Sequence, residues 1–431
     1  AAATGDVNPA HVDPVYAETD MFHHIIIHGM WGAGLISAVL GTRLPGPGTI
    51  YLGQELRFLH PVSIGDTMTA KVTVREKKPA KGDVTLDCVC TNQRGETLIT
   101  GTAYTRAPTV KVRRPRVALP YVSVGRHDGM RAVLVRAANG VAVTTAVVHP
   151  VDSASLLAAV DAASAGLIVP VLIGPRARIQ AVAGAVGVDI SGLRLIDAPD
   201  SCAAAAQAVA LARKGDVALL MKGDLHTEEL MHAVVDSENG LRTARRISHI
   251  YLMDVPDYSR LLLITDAAIN IAPTLQEKVS IVQNAIDLAH MLGIVQPRVA
   301  ILAAVETVSG KMRSTIDAAA LCKMADRGQI TGGLLDGPLA FDNAINEAAA
   351  AEKGIISPVA GRADILVVPD LEAGNILAKQ LSFLAGAEAA GVVLGARVPI
   401  ILASRADSAS TRMASCALAV LMARNLVAVA V

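Results

Sequence analysis

The 431-residue chain sets 39 Lys and Arg against 39 Asp and Glu, a formal net charge of zero, and 52% of its residues are hydrophobic but only 3% aromatic. Neutrality excludes a nucleic-acid protein, whose affinity depends on a basic surface; the length calls for two or three domains with aliphatic cores. The most apolar segment, at the C-terminus, is interrupted by Arg424 and Asn425 and falls short of a membrane span, and no secretory leader pattern is present. Five scattered cysteines, Cys88, Cys90, Cys202, Cys322 and Cys416, suit a reducing cytoplasm. Structural roles are expected for all five.

The chain opens on "GDVNPAHVD", which sets Asp6, Asn8 and His11 a few positions apart. A carboxylate and an imidazole this close suit acid/base chemistry; the plainer reading is an Asx-turn at Asp6 before Pro9, with His11 packed. His23, His24 and His28 follow in "FHHIIIHG" without the carboxylates a metal site usually has, so they read as surface or core histidines and no metal is expected. "MWGAGLISAVLGTRL" predicts a small-residue apolar helix. "TIYLGQELRF", "DTMTAKVTVREKK" and "DVTLDCVCTNQRGETLITGTAYTRA" predict extended strands, the last folding into two about "NQRGE". One buried helix with long antiparallel strands makes residues 1–107 an α+β unit. Prolines 108, 115 and 120, with Lys111, Arg113, Arg114 and Arg116, make residues 108–140 a linker.

From residue 141 to 431, apolar strands alternate with amphipathic helices, as in "DVALLMKGD" before "LHTEELMHAVV" and "RLLLITDAAINIAP" before "TLQEKVSIVQNAIDLAHML". This rhythm predicts an α/β unit with a largely parallel sheet covered on both faces. Ligands gather at the carboxyl ends of such strands, where Lys222, Asp224, Thr265, Asp266, Glu306, Asp370, Glu372, Asn375, Ser404, Arg405, Asp407 and Ser408 stand. Helix capping accounts equally well for Asp224, Thr227 or Ser408, but caps do not call for Lys222 or Arg405. Serine and arginine at a helix N-terminus suit a phosphate, and neither a GxxxxGK[ST] nor a GxGxxG motif accompanies them.

"STIDAAALCKMADRGQITGGLLDGPLAFDNAI", "SPVAGRADILVVPDLEAGNILAKQL" and "VPIILASRADS" resemble the phosphate acetyl/butyryltransferase family across residues 141–431. The resemblance implies a two-lobed α/β domain with largely parallel sheets, isocitrate/isopropylmalate dehydrogenase-like. It also implies transfer of a short acyl group between coenzyme A and inorganic phosphate, with no tightly bound cofactor. Arg405 would bind phosphate, and Ser404 would stabilise the oxyanion or the leaving thiolate. Acetyltransferase members place an aspartate several residues beyond this pair as base toward the thiol. Ser410 and Thr411 stand there instead, which leaves Asp407 as the nearby candidate and leans toward the butyryltransferase branch. Lys222, Thr265, Asp266, Glu306, Asp370 and Asn375 would line the substrate site. Arg242, Arg245 and Arg246 would hold coenzyme A phosphates, or form a solvated face.

"GDVNPAHVD", "HGMWGAGLISAVLG" and "YLGQELRFLHPVSIGDTMTAKVTV" resemble the MaoC-like (R)-specific enoyl-CoA hydratases of the hot-dog fold. The implied roles are Asp6 and His11 as the pair that holds and splits water, Asn8 as the residue ordering their loop, and the backbone N–H of Gly29 as oxyanion donor. Such domains place a strand and a helix ahead of this motif, so an incomplete hot-dog domain is expected. A homo-oligomer, at least a dimer, is expected from both resemblances, with neither nucleic acid nor membrane as partner. Two rivals are a non-catalytic acyl-CoA-binding module in the C-terminal part, disfavoured by the intact Ser404, Arg405 and Asp407, and a metal-dependent decarboxylating dehydrogenase, whose nicotinamide and metal motifs are not found.

Overall fold

The computed structural model describes residues 3–112, 127–402 and 407–429. The chain divides into two compact units, Ala1–Val124 and Gly125–Val431.

In the first unit, strands β1 (Ile50–Phe58), β2 (Thr69–Lys78), β3 (Asp83–Thr91) and β4 (Thr97–Arg106) form an antiparallel sheet in the order β1-β4-β3-β2. The two-residue period of β3 puts Leu86, Cys88 and Cys90 on one buried face. The β3–β4 turn is held by Asn92, whose Oδ1 accepts from the N–H groups of Arg94 (3.0 Å) and Glu96 (3.1 Å). The helix Gly29–Thr42 lies on the sheet, with Ile36 and Leu40 buried among Leu86, Cys88, Cys90, Leu98 and Ile99. Gly32 permits this approach, because a Cβ there would come within 2.2 Å of Ile99 Cδ1. The expected helix and strands are all present.

The second unit contains β5 (Val143–Val148), β6 (Ile168–Gly174), β7 (Arg194–Asp197), β8 (Leu219–Lys222), β9 (Ser248–Asp254), β10 (Leu261–Thr265), β11 (Arg298–Leu302), β12 (Leu334–Leu339), β13 (Ile365–Val367), β14 (Glu388–Leu394) and β15 (Ile400–Ile401). They join into a single sheet, in the order β12-β11-β13-β10-β9-β14-β15-β8-β5-β6-β7. The strands are near-continuous apolar runs, as burial on both faces demands. β8, β5, β6, β7 and β15 run one way and β10, β13, β11 and β12 run the other, because β15–β14, β14–β9 and β9–β10 are all antiparallel. The sheet is therefore largely parallel, as expected, but three antiparallel pairings at its middle reverse its sense, so the carboxyl ends of its two parallel halves point to opposite edges.

The long C-terminal helix Ala409–Val429 is the central helix of this unit, with Cys416 and residues through Ala423 buried. Its Arg424 closes the carboxyl end of the helix Asp128–Ala138, donating to the carbonyls of Ala137 (2.8 Å) and Val141 (2.9 Å). That helix, with Met130, Val133 and Ala137 buried, occupies part of the expected linker, so packed structure begins earlier than residue 141. Residues 113–126, including Arg113, Arg114 and Arg116, lie outside the described residues.

A buried ion pair ties two helices of the second unit together. Lys278 Nζ meets Asp317 Oδ2 at 2.9 Å with both side chains under a tenth exposed, while the exposed Arg313 approaches the same carboxylate at 3.7 Å. Removing one partner leaves a desolvated charge behind. Lys278→Ala is expected to cost the unit about 3 kcal/mol, against under about 1 kcal/mol for Arg313→Ala, in urea unfolding followed by circular dichroism.

Candidate functional site

The first unit gathers its polar residues where the opening loop meets the start of the helix Gly29–Thr42. Asn8 caps the short helix Pro9–Val12, its Oδ1 accepting from Ala10 N at 3.1 Å, while Asp6 Oδ1 accepts from Asn8 N at 3.2 Å. Both the Asx-turn and the order it imposes on the loop are therefore present. His11 Nδ1 faces the carbonyl of Ile26 at 2.8 Å, which leaves Nε2 for other work. His28 joins the pair. Its ring lies against that of His11, centroids 3.9 Å apart, and its Nε2 is 2.9 Å from the Asp6 carbonyl and 3.5 Å from the Asp6 carboxylate.

Gly29 begins the helix directly after His28, and at this position free backbone N–H groups point outward. A Cβ there would press on the Phe58 ring at 2.8 Å. Asp6, His11, His28, Gly29, Trp31 and Leu35 line one cavity of about 600 Å³. Asp6, His11 and His28 also offer ligand atoms within 4.8 Å of one another, a grouping open to a metal ion. His24 instead bonds Ser63 Oγ at 2.9 Å. Sequence reasoning set His28 aside; the one signal for it was its place immediately before the helix N-terminus.

In the second unit the opposed halves of the sheet separate the expected residues into two groups. At the carboxyl ends of β5, β8 and β15, Lys222 and Asp224 line a cavity of about 420 Å³ with Asp152, Ser155, Ile401 and Arg412. Asp152 caps the helix Ser153–Ser164 through the N–H of Ser155 at 3.0 Å. Gly223 is required beside it, because a Cβ would collide with the Val148 carbonyl at 2.4 Å. Lys222 Nζ donates to the Gly223 carbonyl at 3.3 Å. Ile401, at the end of β15, lines this cavity, while Ser404 and Arg405 lie outside the described residues. The charge of Asp407 reaches Tyr251, whose hydroxyl is raised above its ordinary range by burial first and by that charge second.

Thr265, Asp266, Glu306, Asp370 and Asn375 belong to the other edge, and there the fold itself uses their polar atoms. Thr265 Oγ1 donates to the His249 carbonyl at 3.0 Å. Asp266 is buried and accepts from the N–H groups of Ala268, Ile269 and Asn270 and from the Asn270 side chain. Asn270 in turn accepts from Arg246 Nε at 2.7 Å, and Arg246 pairs with Glu277 at 3.2 Å. Glu306 is ion-paired to Lys353, which holds its carboxyl below the usual range, and accepts from Asn343 at 2.8 Å. Asp370 caps the helix Leu371–Leu384, and Asn375 donates to the Ala267 carbonyl at 3.2 Å. Arg242 and Arg246 line a separate cavity of about 550 Å³. Tyr251, which feels the charge of Asp407, packs its ring on His249 at 4.4 Å, and His249 in turn feels the charge of Asp266.

Residues 201–420 match the family model described as phosphate acetyl/butaryl transferase, and residues 1–91 match a MaoC like domain. The chain belongs to the phosphate acetyl/butyryl transferase family. It is 63% identical over 279 residues to a phosphate acetyltransferase of Rhizobium meliloti, covering 65% of this chain and 88% of that protein. It is 41% identical over 274 residues to a phosphate butyryltransferase of Clostridium acetobutylicum, covering 64% and 91%. A solved branched-chain phosphotransacylase from Enterococcus faecalis superposes with a TM-score of 0.57 at 29% identity, over 65% of this chain and 99% of that one. This match corrects the expected isocitrate/isopropylmalate dehydrogenase-like architecture: the second unit has the fold of the phosphotransacylases, built on one mixed sheet. The chain is a bifunctional enzyme that joins a phosphate acyl-transfer domain to a hot-dog, hydratase-like domain.

Two measurements follow from this geometry. His28 ties the Asp6 loop to the helix that carries Gly29, so His28→Ala is expected to lower enoyl-CoA hydration by about a hundredfold, read as kcat with phosphate-dependent acyl transfer as internal control. His249 is buried with Nδ1 unpartnered; burial pushes its imidazole down to about 4, against the opposing pull of Asp266. Its folded value lies below the unfolded one, so its contribution is whole above pH 6.5 and is lost as pH falls toward 4, because the unfolded chain takes the proton first. The second unit should lose up to about 3 kcal/mol across that window, and His249→Phe should flatten this limb in pH-dependent urea melts.

Proposed function

We propose that the second unit transfers an acetyl or butyryl group reversibly between coenzyme A and inorganic phosphate in the cavity bounded by Lys222, Asp224 and Arg412. The supporting observation is the convergence there of β5, β8 and β15, with Lys222 and Ile401 at the ends of β8 and β15 on the cavity lining. In one direction a phosphate oxygen attacks the thioester carbonyl, the carbonyl electrons move onto oxygen, and their return expels the thiolate. The products are acyl phosphate and coenzyme A. Two anions must be held close together, which calls for fixed cations and donors. Arg405 supplies charge to the phosphate, Ser404 a hydroxyl to the oxyanion or departing sulfur, and Asp407 accepts the thiol proton in the reverse direction. The reading includes a cytoplasmic setting; among the described residues no helix is long and apolar enough to cross a membrane.

The first unit, on this reading, adds water to a trans-2-enoyl thioester. Asp6 and His11 hold the water between them: one takes its proton as oxygen bonds the β carbon, and the other delivers a proton to the α carbon, giving an (R)-3-hydroxyacyl thioester. The Gly29 N–H receives the charge that develops on the thioester oxygen. Trp31 and Met30, 67% and 61% exposed, stand at the cavity's open side, where a second copy would shield the acyl chain; a dimer or higher homo-oligomer belongs to this proposal.

Purified protein should release coenzyme A from acetyl- or butyryl-CoA only when phosphate is present, and Arg405→Ala should abolish release. Phosphate-independent release, or none with any short acyl chain, contradicts the proposal for the second unit. Crotonyl-CoA hydration, read as loss of enoyl absorbance and abolished in Asp6→Asn, tests the first unit separately.

A further inference from the structure

Arg412 stands in the first turn of the helix Ala409–Val429, one turn after Ser408, whose Oγ accepts from the N–H of Thr411 at 3.1 Å. A cation in that turn opposes the helix dipole, which favours negative charge at an amino end. Its own helix offers no compensation, because the first turn has no acidic residue and Ser408, Ser415 and Cys416 occupy the neighbouring positions on its face. Other cations of the second unit are paired. Arg246 meets Glu277, Lys353 meets Glu306, and Lys222 meets the Gly223 carbonyl. The Arg412 side chain makes no hydrogen bond or ion pair among the described residues, although it is half-buried and lines a cavity that also holds Asp152 and Asp224. Asp152 is already committed to Ser155, through its N–H and through Oγ at 2.6 Å.

We infer that Arg412 is a phosphate-binding residue of the acyl-transfer site, a guanidinium for the oxyanion that attacks in one direction and leaves as acyl phosphate in the other. The inference rests on the reading of this cavity as the acyl-transfer site. Ala154, Ala158, Met221 and Ile401 form the apolar wall of the cavity and face a short acyl chain, with Arg412 on the same lining. Of the anionic groups in the reaction, only the phosphate of an acyl phosphate is bonded directly to the acyl carbon. The phosphates of coenzyme A lie at the far end of the pantetheine arm. A cation beside the acyl slot therefore meets the transferred phosphate, and a guanidinium suits it because two N–H groups can grip two oxygens at once.

Full-length wild type, Arg412→Ala and Arg412→Lys are compared in steady-state kinetics and in calorimetric titration with inorganic phosphate, with circular dichroism as the check on folding. Arg412→Ala is expected to raise the phosphate KM and the phosphate Kd by at least about tenfold, with the acyl-CoA KM changed by less than about twofold. Arg412→Lys keeps the charge without the fork and should fall between. Unchanged phosphate affinity in Arg412→Ala, or equal rises in both KM values, overturns the inference. If wild type releases no coenzyme A with phosphate, the reading of the domain fails; the calorimetric comparison still decides the role of Arg412.

Discussion

Strand direction in the middle of the second unit's sheet is the constraint on which the rest of that unit depends. A parallel strand delivers its carboxyl end, and the loop that follows, to one edge of a sheet. β9 and β14, both buried and both antiparallel to their neighbours, reverse the sense between β15 and β10. Lys222, Asp224 and Ile401 are thereby delivered to one edge. Thr265, Asp266, Glu306 and Asp370 are delivered to the other, where hydrogen bonds, caps and ion pairs use them to hold loops in place. His249 and Tyr251, ring against ring on one face of β9 at 4.4 Å, lie between, near Asp266 at one end and Asp407 at the other.

The first unit solves a different problem: how to hold an acid/base pair on a loop. Asn8 and Asp6 give that loop a turn of its own, and His28 fastens it to the amino end of a helix buried on the sheet. The glycines at positions 29 and 32 bring that helix close enough to the Phe58 and Ile99 side chains to fix its start. A loop anchored at both its turn and its histidine can place a carboxylate, an imidazole and a backbone N–H around one cavity.

Much of this was legible in the sequence. Two-residue alternation placed Cys88 and Cys90 on one buried face, and apolar runs followed by amphipathic helices marked β6, β8, β10, β11 and β13. The close group of Asp6, Asn8 and His11 pointed to the first site. Strand direction was not legible, because an apolar run buried on both faces reads the same whether its neighbours are parallel or antiparallel. The delivery of the strand ends to two edges was not legible for that reason. His28 was missed because its value lies in contacts with Asp6 and His11 that only folding creates. Arg412 was passed over because on a helix it resembles any solvated cation, and its lack of a carboxylate partner among the described residues is a property of three dimensions.

The central claim, that inorganic phosphate is the acyl acceptor in the Lys222–Arg412 cavity, is tested most directly with oxygen-18-labelled phosphate and butyryl-CoA, followed by mass spectrometry and phosphorus NMR. The account predicts an acyl phosphate that keeps all the phosphate oxygens, formed in step with free coenzyme A, because a carbon–oxygen bond is made and no phosphorus–oxygen bond is broken. Free butyrate with unlabelled carboxyl oxygens and no acyl phosphate would contradict it, since water would then be the acceptor.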